Sequence, residues 1–343
     1  MKIVLYGEAH HPGSGAYCYA ETLRELGHSL VEVSNEAELA WYRTLQGRAT
    51  RKLAGILPHH RARHAEVLVR TVQRERPELV IVLKGTCIAP AEVLAMRATG
   101  AFVTIVNHDD FFSRNPSNRS AAQRAALPHY DFVFVTREVN VKEVAPINPN
   151  VEFFPFAYYP RIHRPVEIPP AFDSDVVFVG TWEAERCQLL EQLVRRVPAR
   201  YAIWGSLWAR AGRRSPLRPY LVGRDALGDD QCRALGGAKV ALAFLRKSNR
   251  DDFTQRTFEI PACGGLLLGE RTERQLSFYR EGIEAEFFDP SRPDELNAKV
   301  HDLLADPDRR RAIRDAGRRA LERQHHTYRD RLIRLLEIHQ QWR

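Results

Sequence analysis

The sequence predicts an α/β protein built from two successive Rossmann-like halves, and three observations carry this. Short apolar runs, β-branched or aromatic, alternate with longer amphipathic segments, the layout of a parallel sheet with helices on both faces. The alternation stops where Pro146, Pro149, Pro155, Pro160, Pro165, Pro169 and Pro170 forbid any long helix, and it restarts beyond them. At 343 residues the chain is long enough for two cores of ordinary size. The expected division is 1–160, 161–325, and a terminal helix over 326–343.

In the first half, residues 3–6, 30–33, 79–83, 102–106 and 132–135 read as strands. The first runs into Gly7-Glu8-Ala9-His10-His11-Pro12-Gly13-Ser14-Gly15, a turn whose glycines let backbone approach a ligand. It lacks the G-x-G-x-x-G spacing of a dinucleotide site. A helix then runs to Gly27. Residues 41–78 are strongly basic and largely helical, which suits either the wet side of a helix or docking on anionic lipid. The fourth strand ends in His108-Asp109-Asp110, polar groups at the edge where open α/β sheets bind ligands. Asp109 or Asp110 suits a base that takes a proton from an acceptor hydroxyl, or the group simply ties down a loop. Arg114 and Arg119 follow, placed to meet an acidic acceptor.

The second half opens on a strand at 175–180, a helix from Thr181 to about Arg196, and a strand and glycine turn at 201–206. A helix from about Asp229 to Leu235 precedes the most informative stretch, Asn249-Arg250-Asp251-Asp252-Phe253-Thr254-Gln255-Arg256-Thr257-Phe258-Glu259-Ile260-Pro261-Ala262-Cys263-Gly264-Gly265, set between strands at 240–244 and 266–268. Asp252 and Gln255 have the spacing of a capping box, which would start a helix at Asp252; Pro261 and the glycine pair would end it. Asp251 and Glu259 stand eight residues apart with Arg256 between them. An arginine at a helix start suits a phosphate and carboxylates suit sugar hydroxyls, while Arg256 and Glu259 also have i, i+3 ion-pair spacing. Asp173-Ser174-Asp175 fits Asp-x-Asp but enters the amino end of a strand and reads as a turn. A helix opens at Pro293, another restarts at Asp306-Pro307, and a last one runs toward Trp342.

Hydrophobic content of 44% with 27% charged residues belongs to a soluble globular chain, and no apolar run is long enough to span a membrane. The first residues read as a strand rather than a signal peptide, so the cytoplasm is expected. The five cysteines lack a C-x-x-C pair and read as buried free thiols. No His, Asp or Glu cluster has metal spacing, so no metal and no cofactor are expected. A net charge of +8 favours an anionic partner. The arginines are dispersed rather than clustered with stacking aromatics, so nucleic acid is not expected.

Glu259-x-x-Ala262-Cys263-Gly264-Gly265 before an apolar strand resembles the signature of GT-B glycosyltransferases. The fuller Arg256-Thr257-Phe258-Glu259-Ile260-Pro261-Ala262-Cys263-Gly264-Gly265 is most similar to the glycosyltransferase-like family named after spore maturation proteins, with similarity from about Val176 to about Leu336. The resemblance implies two Rossmann-like domains facing each other across a cleft. It also implies hexosyl transfer from a nucleoside-diphosphate sugar to a glycan, lipid-linked, protein or small-molecule acceptor. The donor would be held by the C-terminal domain and the acceptor chosen by the N-terminal one, at the inner face of the membrane if peripheral. Glu259 then takes the ribose, and Asp251, one methylene shorter than the family's glutamate, the sugar. Arg256 offsets charge on the leaving diphosphate, and Arg186 is the nearest match to the basic residue that contacts it. Gly264 and Gly265 admit backbone to the donor, and His108 lies near the donor sugar. His10, His11, Gly13, Ser14 and Gly15 border the cleft. A retaining outcome is favoured over an inverting one. A non-hydrolysing sugar-nucleotide epimerase and a non-catalytic nucleotide-sugar or glycan-binding protein are the alternatives.

Overall fold

The computed structural model describes residues 1–8, 13–34, 59–113 and 120–342, with backbone alone for 59–64. The chain divides into two compact units, Met1–Pro155 with Lys247–Arg250 and Tyr328–Arg343, and Phe156–Arg246 with Asp251–Thr327. Among the described residues no helix is long and apolar enough to cross a membrane.

The N-terminal unit is built on strands β1 (Lys2–Tyr6), β2 (Ser29–Val33), β3 (Leu79–Leu83), β4 (Phe102–Asn107), β5 (Phe132–Val135) and β6 (Val151–Phe153). They form one parallel sheet in the order β2-β1-β3-β4-β5-β6. Every residue of β3 and β4 is buried, as expected of strands covered on both faces. Helices α1 (Gly15–Glu25), α2 (His59–Glu75), α3 (Pro90–Arg97), α4 (Ala121–Ala126) and α5 (Glu138–Val144) connect them. Val80, Val82, Val103 and Ile105 share a core with Leu68 and Val72 of α2 and Val93 and Met96 of α3. The C-terminal helix completes this unit: the Tyr328 ring meets Tyr19 edge-on at 5.0 Å, and Arg331 Nε donates to the Pro155 carbonyl at 2.9 Å.

The C-terminal unit carries β7 (Ser174–Val179), β8 (Tyr201–Trp204), β9 (Ala238–Ala243), β10 (Leu267–Glu270) and β11 (Glu286–Phe288), all parallel, in the order β11-β10-β9-β7-β8. Its helices are α6 (Ala184–Arg196), α7 (Asp229–Gly237), α8 (Arg256–Ala262), α9 (Glu273–Phe278), α10 (Pro293–Ala305) and α11 (Pro307–Arg323); α12 (Tyr328–Trp342) is the C-terminal helix already described. Counted within each unit, the two sheets have the same arrangement, with the first strand between the second and the third. The chain therefore winds outward in opposite directions from β1/β3 and from β7/β9, and such switch points open a crevice at the carboxyl ends of the strands.

Side chains of Ser14, Ser120, Thr272 and Asp306 cap α1, α4, α9 and α11. Asp306 caps α11 by accepting from the Arg309 N–H at 2.9 Å. Helix α6 begins at Ala184, later than the expected Thr181, with extended Glu183 in the cap position. Asp173 and Asp175 at the amino end of β7 are ion-paired with Arg200 at 3.0 and 3.3 Å, and Asp175 also with Lys239 at 2.8 Å. Burial works against ionising Asp175, but hydrogen bonds from Lys239 and Arg200 prevail and hold its pKa at about 2. All five cysteines are buried and free.

Candidate functional site

A basic cluster stands at the carboxyl ends of β7 and β9, the switch point of the C-terminal sheet. Beside it the ends of β7 and β8 are pressed together: a Cβ on Gly205, whose φ is 131°, would come within 2.1 Å of the Gly180 carbonyl oxygen. Only glycine fits that approach. Arg186, in the first turn of α6, bridges the ends of β7 and β9, donating from Nη1 to the Thr181 carbonyl at 3.3 Å and from Nη2 to the Phe244 carbonyl at 3.2 Å. Its guanidinium lies 5.9 Å from the Phe178 ring centroid. Arg256, at the start of α8, donates from Nε to the Val179 carbonyl at 3.1 Å. Arg246, just beyond β9, pairs with Glu183, whose carboxylate is also 4.0 Å from Arg186. Burial lowers the pKa of Arg186, with Glu183 opposing and the Arg246 charge adding to the shift. Burial likewise lowers Arg256 to about 10, the Cys263 thiol opposing and the Arg186 charge adding. Both stay cationic at neutral pH. Guanidinia gathered and partly desolvated in this way are an arrangement that a bound polyanion stabilises. Sequence spacing brings out Arg256 and the family resemblance Arg186, but neither points to Arg246 or Glu183. Position alone could have found Arg246, which is an early polar residue after an apolar strand, as His108 is.

Helix α8 starts later than its capping-box spacing suggests. Gln255 occupies the cap position in helical conformation and makes no side-chain capping bond, and the Asp252 carbonyl accepts from Thr272 Oγ1 at 2.6 Å. Thr257 Oγ1 takes over part of the capping work by accepting from the Thr254 N–H at 3.2 Å. Glu259 is buried, 2% exposed, and both carboxylate oxygens are engaged: Oε2 pairs with Arg256 and Oε1 lies 3.2 Å from His163 Nε2. His163 Nδ1 accepts from the Tyr159 N–H at 3.0 Å, so Nε2 carries the proton and donates to Glu259. Burial pushes the His163 pKa down to about 3, with the Arg256 charge adding, so the imidazole is neutral at neutral pH. Nothing in the spacing of the proline-rich stretch marks His163 as a partner of Glu259. Asp251 closes its own loop, its N–H donating to the Arg246 carbonyl at 3.2 Å and its Oδ2 accepting from the Arg246 N–H at 3.3 Å.

The two glycines have structural work of their own. Gly264, with φ 81°, donates to the Pro261 carbonyl at 3.0 Å and Gly265 to the Ile260 carbonyl at 2.9 Å, the paired bonds of a Schellman helix stop. A Cβ on Gly265 would stand 2.5 Å from the Leu235 carbonyl oxygen of α7.

In the N-terminal unit His108, Asp109 and Asp110 follow β4 at its carboxyl end. The Tyr19 hydroxyl lies 3.3 Å from His108 Nε2, and Arg137 Nη1 donates to the His108 carbonyl at 2.9 Å. Burial of the imidazole lowers its pKa to about 4, with Asp109 opposing and Arg137 adding. Asp109 pairs with Lys84 Nζ at 2.6 Å. Asp110 is fully buried and bound bidentately by Arg250, at 2.6 Å from Nε and 2.7 Å from Nη2. Asn140 Nδ2 donates to the same carboxylate at 2.8 Å, and Asn249 Oδ1 accepts from the Asp110 N–H at 2.9 Å. Burial disfavours the Asp110 anion, but the bonds from Arg250 and Asn140 outweigh it and leave the pKa below the ordinary carboxylate value.

In the turn after β1, Gly13 has φ 90° and Ser14 is committed as the cap of α1, accepting from the Tyr17 N–H at 3.1 Å and donating to the Glu8 carbonyl at 2.7 Å. Gly15 faces Tyr328, whose hydroxyl would be 3.3 Å from an added Cβ. His10 and His11, Arg114 and Arg119, and the basic residues of 41–58 lie outside the described residues. Among the described residues no group of three or more His, Cys, Asp or Glu is placed to hold a metal ion.

Residues 186–337 match a protein family described as glycosyl transferase-like. None of the curated proteins matches the sequence. Among solved structures, the chain is similar to a sucrose-phosphate synthase from Thermosynechococcus elongatus, with 13% identity over 100% of this chain and 99% of that one and a TM-score of 0.69. It is similar to Anabaena HepE in complex with UDP-glucose at 10% identity, covering 98% of this chain and 99% of that one, TM-score 0.67. A glycosyltransferase from Rickettsia africae matches at 13% identity over 99% and 98% of the two chains, TM-score 0.63. At these identities the likeness is one of fold: the chain has the GT-B fold of two Rossmann-like units.

Proposed function

We propose that this protein is a glycosyltransferase that moves a sugar, in the simplest case a hexosyl unit, from a nucleoside-diphosphate sugar to an acceptor hydroxyl. The observation that carries it is the cluster of Arg186, Arg246 and Arg256 at the switch point of the C-terminal sheet, inside the segment matching the glycosyl transferase-like family. When the bond from sugar to diphosphate breaks, negative charge grows on the departing oxygen. Guanidinia already fixed on strand-end carbonyls stabilise that charge without reorganising. They supply positive charge in the place where a divalent cation would, so we assign no metal to the reaction. Within the class, the run from Arg256 to Gly265 favours the spore-maturation-protein-like family, and Asp251 and Glu259 stand for its sugar and ribose contacts. Their spacing favours retention. Should the outcome be inversion, Asp109 is the better base, because Asp110 is locked in its bonds to Arg250. The N-terminal unit is assigned the acceptor side, with His108 acting on the transferred sugar, and His10, His11, Gly13, Ser14 and Gly15 as its loop. A glycan, lipid-linked, protein or small-molecule acceptor fits. The location is the cytoplasm, with the basic residues of 41–78 meeting an anionic membrane face.

The UDP-glucose bound to HepE makes UDP the first nucleotide to test. A thermal-shift panel of UDP, GDP, ADP, TDP and CMP is expected to give a rise in melting temperature with one diphosphate, since a ligand that binds only the native state stabilises it. Arg186→Gln should abolish the rise and Glu259→Gln should reduce it. Glutamine is preferred to alanine at 259 because alanine would strand Arg256 and His163. No shift with any nucleotide would remove the donor site, and a shift unchanged in Arg186→Gln would move it away from this cluster.

A further inference from the structure

Two thiols meet inside the C-terminal unit. Cys263 Sγ, directly after α8, lies 3.2 Å from Cys232 Sγ in α7, and Cys232 donates in turn to the Ile162 carbonyl at 3.0 Å. Glycines on both sides of the pair let backbone meet backbone: a Cβ on Gly236 would be 2.5 Å from the Cys263 carbonyl oxygen, and one on Gly265 2.5 Å from that of Leu235. From 3.2 Å the sulfurs need to close only to the roughly 2.05 Å of a disulfide bond, a displacement that side-chain rotation supplies. A depression of about 300 Å³, lined by Gly236, Cys263, Gly264, Arg314 and Arg318 among others, lies beside Cys263, whose side chain is itself buried. The hydrogen bond from Cys263 favours the thiolate of Cys232 against the opposing effect of burial, and the donating Cys263 is raised correspondingly. The other cysteines have different company; Cys87 Sγ meets the Tyr6 hydroxyl at 3.1 Å and Cys187 Sγ meets Glu191 Oε1 at 3.8 Å.

We propose that Cys232 and Cys263 form an oxidisable dithiol, a modification site at which a peroxide closes a disulfide between α7 and the turn that ends α8. Two S–H bonds and the O–O bond of hydrogen peroxide break and one S–S bond forms. The sulfurs lose two electrons and two protons, and the peroxide leaves as two waters. A dithiol reductant reverses the step. The bridge joins positions 31 residues apart and constrains the unfolded chain, so the oxidised unit gains stability.

The test is graded hydrogen peroxide on the native full-length protein, followed by alkylation of the remaining thiols under denaturing conditions and peptide mapping. Expected are a single Cys232–Cys263 crosslink, alkylation confined to Cys18, Cys87 and Cys187, and all five thiols restored by dithiothreitol. The unfolding midpoint should rise by roughly 5 °C on oxidation and return on reduction. Five alkylated thiols after peroxide, sulfinic or sulfonic acid at either position, or a bridge to another cysteine would each overturn the proposal. Because the map is made on the unmutated protein, no variant has to fold for the outcome to count.

Discussion

Asp110 is the residue whose environment leaves least freedom. Its carboxylate is fully buried and its charge is matched by Arg250, itself 38% exposed and held at φ 50°. Removing the arginine leaves a buried anion with only amide donors, whereas asparagine at 110 removes the charge and keeps the shape. Arg250→Ala should therefore cost about 2–3 kcal/mol, less than a fully buried pair because the guanidinium is partly solvated. Asp110→Asn in the Arg250→Ala background should recover part of that loss; urea unfolding of the set checks both, and an additive double mutant would show the pair is uncoupled. His163 makes a second prediction, on pH. Its folded pKa of about 3 lies below the roughly 6.5 of an unfolded chain, so between these values the unfolded state binds the extra proton. The stability it contributes is fully present above about pH 6.5 and is lost as pH falls toward the folded value. Unfolding free energy should drop by up to about 1.4 kcal/mol per pH unit between about pH 6.5 and 5, and His163→Gln should flatten that slope. A slope unchanged in the variant would assign the loss to other groups. Neither partnership is legible in the sequence: Asp110 and Arg250 are 140 residues apart, and His163 and Glu259 have no spacing that links them. What the sequence does show at this scale is residue type at a strand's carboxyl end or a helix start, and this is why His108 and Arg256 stand out while their partners do not.

At the scale of elements, a continuous apolar run such as β3 is legible because burial on both faces leaves no polar position to confuse the pattern. Strands β6 and β11 have three residues each, too few to show a period. The start of α8 is misplaced by spacing because the Asp252 carbonyl is taken by Thr272 and the hydroxyl of Thr257, the second residue of the helix, accepts from the Thr254 N–H instead. Its end is legible, since proline followed by two glycines permits little besides a helix stop. Gly264→Ala should cost about 1 kcal/mol for its left-handed backbone, with asparagine milder. Gly265→Ala should cost more, because its Cβ would meet the Leu235 carbonyl oxygen of α7 at 2.5 Å and neither backbone can yield cheaply. Thermal unfolding of the three variants orders the costs, and a Gly265→Ala protein as stable as wild type would show that α7 moves freely.

At the scale of the whole molecule, the N-terminal unit depends on a helix from the far end of the chain. Leu332, Leu335, Leu336 and Ile338 of α12 are buried, and Arg334 pairs with Glu152 at 2.7 Å. Burial of a large aliphatic side chain is worth about 1.5–3 kcal/mol, so together these match the whole stability of an ordinary domain. A chain ending at residue 327 should lose the cooperative transition of the N-terminal unit while the core around Val176, Leu242 and Leu268 still melts cooperatively; calorimetry that shows two unchanged transitions would refute this. The discontinuity also bears on how such proteins diversify. The N-terminal unit is assembled from three separate pieces of chain, 1–155, 247–250 and 328–343. A single genetic crossover near residue 155 would hand it a foreign closing helix and a foreign counterion for Asp110. Exchange of the other half between lineages has to be a double crossover, a cassette of 156–327 in which Lys247–Arg250 keeps the host's residues.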